Sequence, residues 1–320
     1  MANQFVKIIG DCYKKVGSKH TSKSTATLPH SIRYFKKHVI NYKESKELTN
    51  AGLYGGQVAH IVIQEVLTKN IPLDDVINSE LIQTKIAEYV PIHEKDKMKF
   101  TFIVKFLKPT VQNHLDNIKE LHEQKWRDEL EYTVWTPPVQ TYWLCYVDLV
   151  GKAVNEAMKS YFGDLKNKFG SASFKPLVKK DPSKNSKKKI EKPNDNRIGD
   201  WVYSSSKIED HIFTSDLMQI ALYKKAVGLK PFISYASHKD RKIFTEDNTP
   251  ELKPENLDQA LKQLMVYEIS WQKKLEAADG DLNKLAWLCP PDYSDIRKKS
   301  FWWDGVPREY IERYFKHYAV

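Results

Sequence analysis

Two aspartates stand in strand-like surroundings: Asp148 late in "YWLCYVDLVG" and Asp200 in "NRIGDWVYSSS". Asp148 either caps the turn near Gly151, a place that suits aspartate, or faces the core. In the core it needs a cation or hydrogen-bond donors, because an unpaired buried carboxylate is costly. If the two strands converge, Asp148 and Asp200 form an oxygen-rich site suited to Mg2+, which keeps several waters and binds through one or two carboxylates. Such an ion polarises a phosphoryl oxygen and activates a water. His60 lies one turn into a helix, on the same stripe as apolar neighbours. It reads either as a satisfied core residue or as a group that binds or orients a metal. Gln219 and Tyr223 lie four apart and so share one helix face, which is either simply half-buried or turned to a site.

These residues must be held by elements whose periods are visible in the chain. "AGLYGGQVAHIVIQEVLTKN" reads as a glycine-marked turn followed by a helix that ends at Asn70–Pro72. Two further helices are expected at about 80–89 and 96–123, the second interrupted near Pro109. The period then changes. Strands at 130–136 and 141–149 make a hairpin around Pro137–Pro138. "KAVNEAMKSYFGDLKNKF" returns to helical spacing. Residues 175–193 hold eight lysines, two acids and three prolines, the composition of a loop or a disordered insertion. After the Asp200 strand come "TSDLMQIALYKKAVG", a helix with Gly228 at its end, a charged hairpin, and a long helix. The expected fold is α/β: a small mixed central sheet flanked by helices, with a helical N-terminal part. The expected organisation is an arm and helical lead-in over 1–50 and a core over 51–278. The core carries a lysine-rich insertion at about 152–196, and an aromatic extension follows over 279–320.

Composition limits the partners. The chain has 320 residues, a formal net charge of +10 and 41% hydrophobic residues, so it can bury a core and favours a polyanion such as nucleic acid. The flexible lysine run would add salt-sensitive affinity for phosphate, and the 17 tyrosines and 8 tryptophans permit base stacking. Three widely spaced cysteines and the lack of any CxxC pair argue against structural zinc or a four-cysteine cluster. With no signal-like or membrane-length apolar run, a cytoplasmic or otherwise intracellular protein without membrane association is expected.

In order, the chain shows a glycine pair leading to a helix with His60 and Glu65, then "ELEYTV", a strand with Asp148, "IGDWVYSSS", and a helix with "SDLMQIALY". This order resembles the PD-(D/E)XK nuclease superfamily, and within it the RecB-type branch that includes mitochondrial genome maintenance exonuclease and related phage exonucleases. The resemblance spans about residues 50 to 275 and rests on order and local pattern. It implies a restriction-endonuclease-like core with Asp148 and Asp200 as metal ligands. His60 would bind or orient the metal, and the Gln219–Tyr223 helix would close the site.

The implied activity is Mg2+-dependent hydrolysis of DNA phosphodiester bonds, with Mn2+ as a substitute, at single-stranded or free ends. A phage-encoded source fits the same resemblance, and no small-molecule cofactor is implied. Two departures bear on activity. About fifty residues separate Asp148 from Asp200, where the family joins its two acids by a short turn. The family's lysine position, two residues after the second acid, holds Val202. Three readings of Val202 stand: a catalytically inactive nucleic-acid-binding relative, a lysine such as Lys207 reaching in instead, or a substitution that disables cleavage.

Overall fold

The computed structural model describes residues 9–39, 49–127, 130–176 and 199–290, with Glu309 and Glu312 as isolated positions. The lysine run from 177 onward and most of the expected C-terminal extension lie outside the described residues. The helices are α1 (Asp11–Lys15), α2 (Lys23–Ala26), α3 (His30–Tyr34), α4 (Ala51–Lys69), α5 (Leu73–Ile77), α6 (Glu80–Ala87), α7 (Glu94–Lys105), α8 (Leu107–Lys119), α9 (Thr214–Val227), α10 (Pro254–Ala278) and α11 (Leu282–Leu288). The strands are β1 (His20–Thr21), β2 (Gln124–Arg127), β3 (Leu130–Trp135), β4 (Tyr142–Val147), β5 (Leu149–Ala153), β6 (Tyr161–Asn167), β7 (Ser171–Pro176), β8 (Gly199–Ser204), β9 (Lys230–Ala236) and β10 (Arg241–Thr245).

A five-stranded mixed sheet, ordered β10-β9-β6-β5-β2, forms the centre. Its one parallel pair is β6–β9; the other three are antiparallel. Helices α4 and α8 cover one face, while α9 covers the other and is backed by α10. The protein is therefore a mixed α/β fold with a helical N-terminal part and flanking helices. Strands β3 and β4 form the expected hairpin in a second, three-stranded sheet, in which β1 pairs parallel to β4. Strands β7 and β8 form a separate antiparallel ribbon. No helix among the described residues is long and apolar enough to cross a membrane.

Two sequence expectations change. The glycines at 52, 55 and 56 lie inside α4, which Asn50 caps by accepting from the Leu53 amide. They mark no turn: a Cβ on Gly55 would come within 2.6 Å of Ile103, so its absence lets α4 and α7 approach closely. The second change matters more for function. "YFGDLKN" is strand β6 and not part of a helix. Residues Tyr161 to Leu165 are buried on both sides of a central strand, so the alternation that normally reveals a strand is missing. The interruption expected near Pro109 falls at Phe106. Pro109 sits in the first turn of α8, where no intrahelical N–H is required.

The layer of α8 against β9 carries a buried polar network. His114 is fully buried, with Nδ1 2.7 Å from Ser234 Oγ, and Asn117 donates to the same oxygen. Burial, and then the charge of His60, depresses the His114 pKa to about 3. Because the unfolded histidine titrates near its ordinary 6.5, the unfolded chain takes up this proton first as pH falls. The stability held above pH 6.5 is therefore lost progressively toward pH 3, by up to about 1.4 kcal/mol per pH unit for this group. Denaturant unfolding at pH 7 and pH 5 should show that loss. His114→Gln should reduce its slope, and an unaltered slope would count against the assignment.

Candidate active site

Asp148 sits at the break where one continuous run of chain leaves the β3–β4 sheet and enters the central sheet as β5. Its carboxylate is nearly buried, and Oδ2 accepts a hydrogen bond from the Leu165 amide at 2.7 Å. Leu149 pairs with Gly163 across the β5–β6 ladder. Continued by one residue, that register sets Asp148 opposite Asp164. Gly163 allows this strand to lie close to its neighbour, since a Cβ there would fall 2.0 Å from the Phe232 ring.

Asp164 and Lys166 are two apart on β6, so both side chains leave the same face of the sheet, toward α9. Lys166 Nζ lies 2.7 Å from Asp164 Oδ2 and 3.7 Å from Asp216 Oδ1. The first contact is a close ion pair at a buried oxygen. Burial is the main reason the Asp164 carboxyl is pushed up to about 6; Lys166 pulls it down and Asp148 pushes it up again. Burial also disfavours the charge of Lys166, but Asp164 and then Asp216 outweigh it and hold the ammonium above the ordinary lysine range. Lys166 is therefore a charged group at neutral pH and not a proton acceptor.

Helix α9 closes this face. Gln219 Oε1 accepts from Lys166 at 3.1 Å, while its Nε2 donates to Asp164 Oδ1 at 3.2 Å and to the Tyr223 hydroxyl at 2.6 Å. Only one orientation of the amide serves both a cation and a carboxylate, so the two groups fix it. Burial, followed by the charges of Asp164 and Asp148, raises the Tyr223 pKa far above the ordinary phenol value. Asp216, on the same helix, accepts from the Tyr235 hydroxyl at 2.6 Å.

His60 approaches from α4. Its Nε2 is 3.0 Å from the Leu165 carbonyl, which can only accept, so this nitrogen carries the proton. Its Nδ1 lies 3.8 Å from Asp148 Oδ1, too far for a hydrogen bond. Among the described residues, no group of three or more His, Cys, Asp or Glu side chains is arranged to hold a metal unaided. Two neighbouring carboxylates with an imidazole close by are nonetheless the donor types that suit a divalent cation retaining water.

The structure brings His60, Asp148, Gln219 and Tyr223 together but not Asp200 or Lys207. Asp200 is exposed on β8, opposite Lys175, in the separate ribbon. Lys207 is also exposed, and its charge bears on Asp210. Neither takes part in the contacts around Asp148. The second carboxylate beside Asp148 is Asp164, sixteen residues on, and the lysine two residues further is Lys166. Val202 thus does not occupy the position of a lysine in this cluster; it lies half-buried opposite Ser173. The sequence signal was "GDLK", an acid-x-lysine pattern hidden by the helical reading of that segment. Asp216 had no such signal.

No protein-family model matches the sequence, and no curated protein matches it. Among solved structures, the crystal structure of SSO0001 is similar at 11% identity, covering 74% of this chain and 84% of its own, with a TM-score of 0.25. A likeness at that level carries no argument about chemistry.

Proposed function

We propose that this chain is a metal-dependent nuclease of the PD-(D/E)XK type, hydrolysing DNA phosphodiester bonds at single-stranded or free ends. The observation that carries the reading is the cluster of Asp148, at the entry to β5, with Asp164 and Lys166 on the adjacent antiparallel β6, braced by Gln219. Asp148 and Asp164 would hold Mg2+ or Mn2+, with His60 at the edge of the site. A bound divalent ion would supply charge to the scissile phosphate and lower the pKa of a water.

The chain's own residues divide the remaining work. Lys166, kept protonated, places a fixed positive charge where negative charge grows on the phosphate. Gln219 holds that ammonium and the Asp164 carboxylate in register, so neither must reorganise during reaction. His60, through its bond to the Leu165 carbonyl, fixes the backbone between Asp164 and Lys166. The formal charge of +10 suits a polyanionic substrate. Lys166 beside Asp164 supports cleavage over the alternative of a catalytically inactive nucleic-acid-binding protein on the same fold.

Incubation of the purified chain with labelled single-stranded DNA should show degradation with Mg2+ or Mn2+ and none with chelator. Intact DNA under both metals would refute the enzymatic reading.

A further inference from the structure

A small pocket of about 160 Å³ adjoins the carboxylate cluster, between the N-terminal segment, β4 and α9. Ser22, Lys23 and Ser24 line one side, Tyr146 a second, and Gln219 and Tyr223 a third. The same Gln219 that bonds to Asp164 and Lys166 therefore also forms this pocket's wall. We infer that the pocket is a phosphate subsite of the nucleic-acid strand, in which the Lys23 ammonium and the Ser24 hydroxyl bind a phosphate next to the one cleaved. This inference rests on the nuclease reading for its substrate, but its binding chemistry is separate.

Three observations point to an anion here. First, the Lys23 ammonium makes no ion pair or hydrogen bond among the described residues, although the other lysine near the cluster, Lys166, is held by two carboxylates. Second, burial and then the charge of Lys166 depress the Lys23 pKa by more than the attraction of Asp216 and Asp164 raises it, so the ammonium is left short of negative charge. Third, Ser22 is already committed to capping α2 through the Thr25 amide, whereas Ser24 is exposed and touches only Ser22 among hydroxyls. Charge-assisted bonds to a phosphate oxygen would satisfy both Lys23 and Ser24.

Phosphates recur along a strand, and an end carries one more. The subsite could therefore take an internal phosphate or a terminal one, and the experiment separates them. Binding of the full-length chain is measured in chelator, so that no cleavage intrudes. The probes are 3′-labelled single strands bearing either a 5′-phosphate or a 5′-hydroxyl. Lys23→Met should weaken binding about tenfold and lower the slope of log affinity against log salt by about one, as expected for one lost phosphate contact. Lys23→Arg should restore most of the affinity. A loss confined to the 5′-phosphate probe assigns the terminal phosphate; an equal loss on both assigns an internal one.

Ser24→Glu, an exposed substitution, places a carboxylate at the same pocket and should weaken binding even if Lys23→Met does not fold. Unchanged affinity and salt slope in the folded variants would overturn the subsite, as would failure of the unaltered chain to bind either probe. If Lys23→Met weakens binding but the chain cleaves nothing with either metal, the subsite stands and the nuclease reading falls. Normal cleavage with no effect of Lys23→Met gives the reverse.

Discussion

Lys166→Met is expected to slow DNA cleavage about a hundred- to a thousandfold, the usual cost of removing one preorganised charge from a reacting centre. The ammonium lies 2.7 Å from Asp164 and is held by Gln219, so its position is fixed before substrate arrives. Lys166→Arg should fail as well, because a planar guanidinium cannot occupy the space of a compact ammonium among Asp164, Asp216 and Gln219. Asp164→Asn removes the buried carboxylate and should be comparably inactive. Asp200→Asn and Val202→Lys lie on the separate β7–β8 ribbon and should leave the rate unchanged. Single-turnover cleavage of a labelled strand with Mg2+ measures all five, with circular dichroism to verify folding. A Lys166→Met enzyme of full activity, or a Val202→Lys enzyme of sharply higher activity, would return the site to the ribbon.

That contrast also marks how far the sequence could be read. His60, Asp148, Gln219 and Tyr223 carried enough local pattern to be picked out, and the structure gathers them at one place. Asp164 and Lys166 did not, because β6 is a largely enclosed strand of the central sheet. With Tyr161 to Leu165 buried under helices on both faces, hydrophobic residues run without alternation. A glycine, an aspartate and a lysine in the same strand then give it the polar mixture of an amphipathic helix. Asp200 is exposed on a separate ribbon, beside a short Trp-Val-Tyr run whose β-favouring residues make that strand easier to see. Burial concealed the chemistry at the point where burial is needed to tune it. The order of strands in the central sheet was equally beyond a linear reading, since β6 pairs with β9 some seventy residues away.

Glu268→Ala should destabilise the chain by about 3–5 kcal/mol, the cost of leaving a buried charge without its partner. Glu268 lies on α10 with no exposed surface, and Arg33 on α3 is 2% exposed. The guanidinium binds both carboxylate oxygens, at 2.7 and 2.8 Å, while Tyr13 and Thr21 donate one further bond each. Arg33 also lies 4.5 Å over the Trp271 ring. One carboxylate therefore gathers α1, β1 and α3 onto α10 across more than 230 residues of sequence. Loss of Glu268 strands the guanidinium and unties Thr21, two residues before Lys23. The melting temperature should fall on the order of 10 °C. The pair replacement Arg33→Met with Glu268→Leu should cost much less than the sum of the single changes, since no charge is then left unmatched. Additive losses in that cycle would mean the two residues act independently. In the Glu268→Ala chain, single-strand affinity should fall toward that of Lys23→Met while Asp148, Asp164 and Lys166 stay in place, because the N-terminal segment is secured by α10 and the cluster by the central sheet and α9.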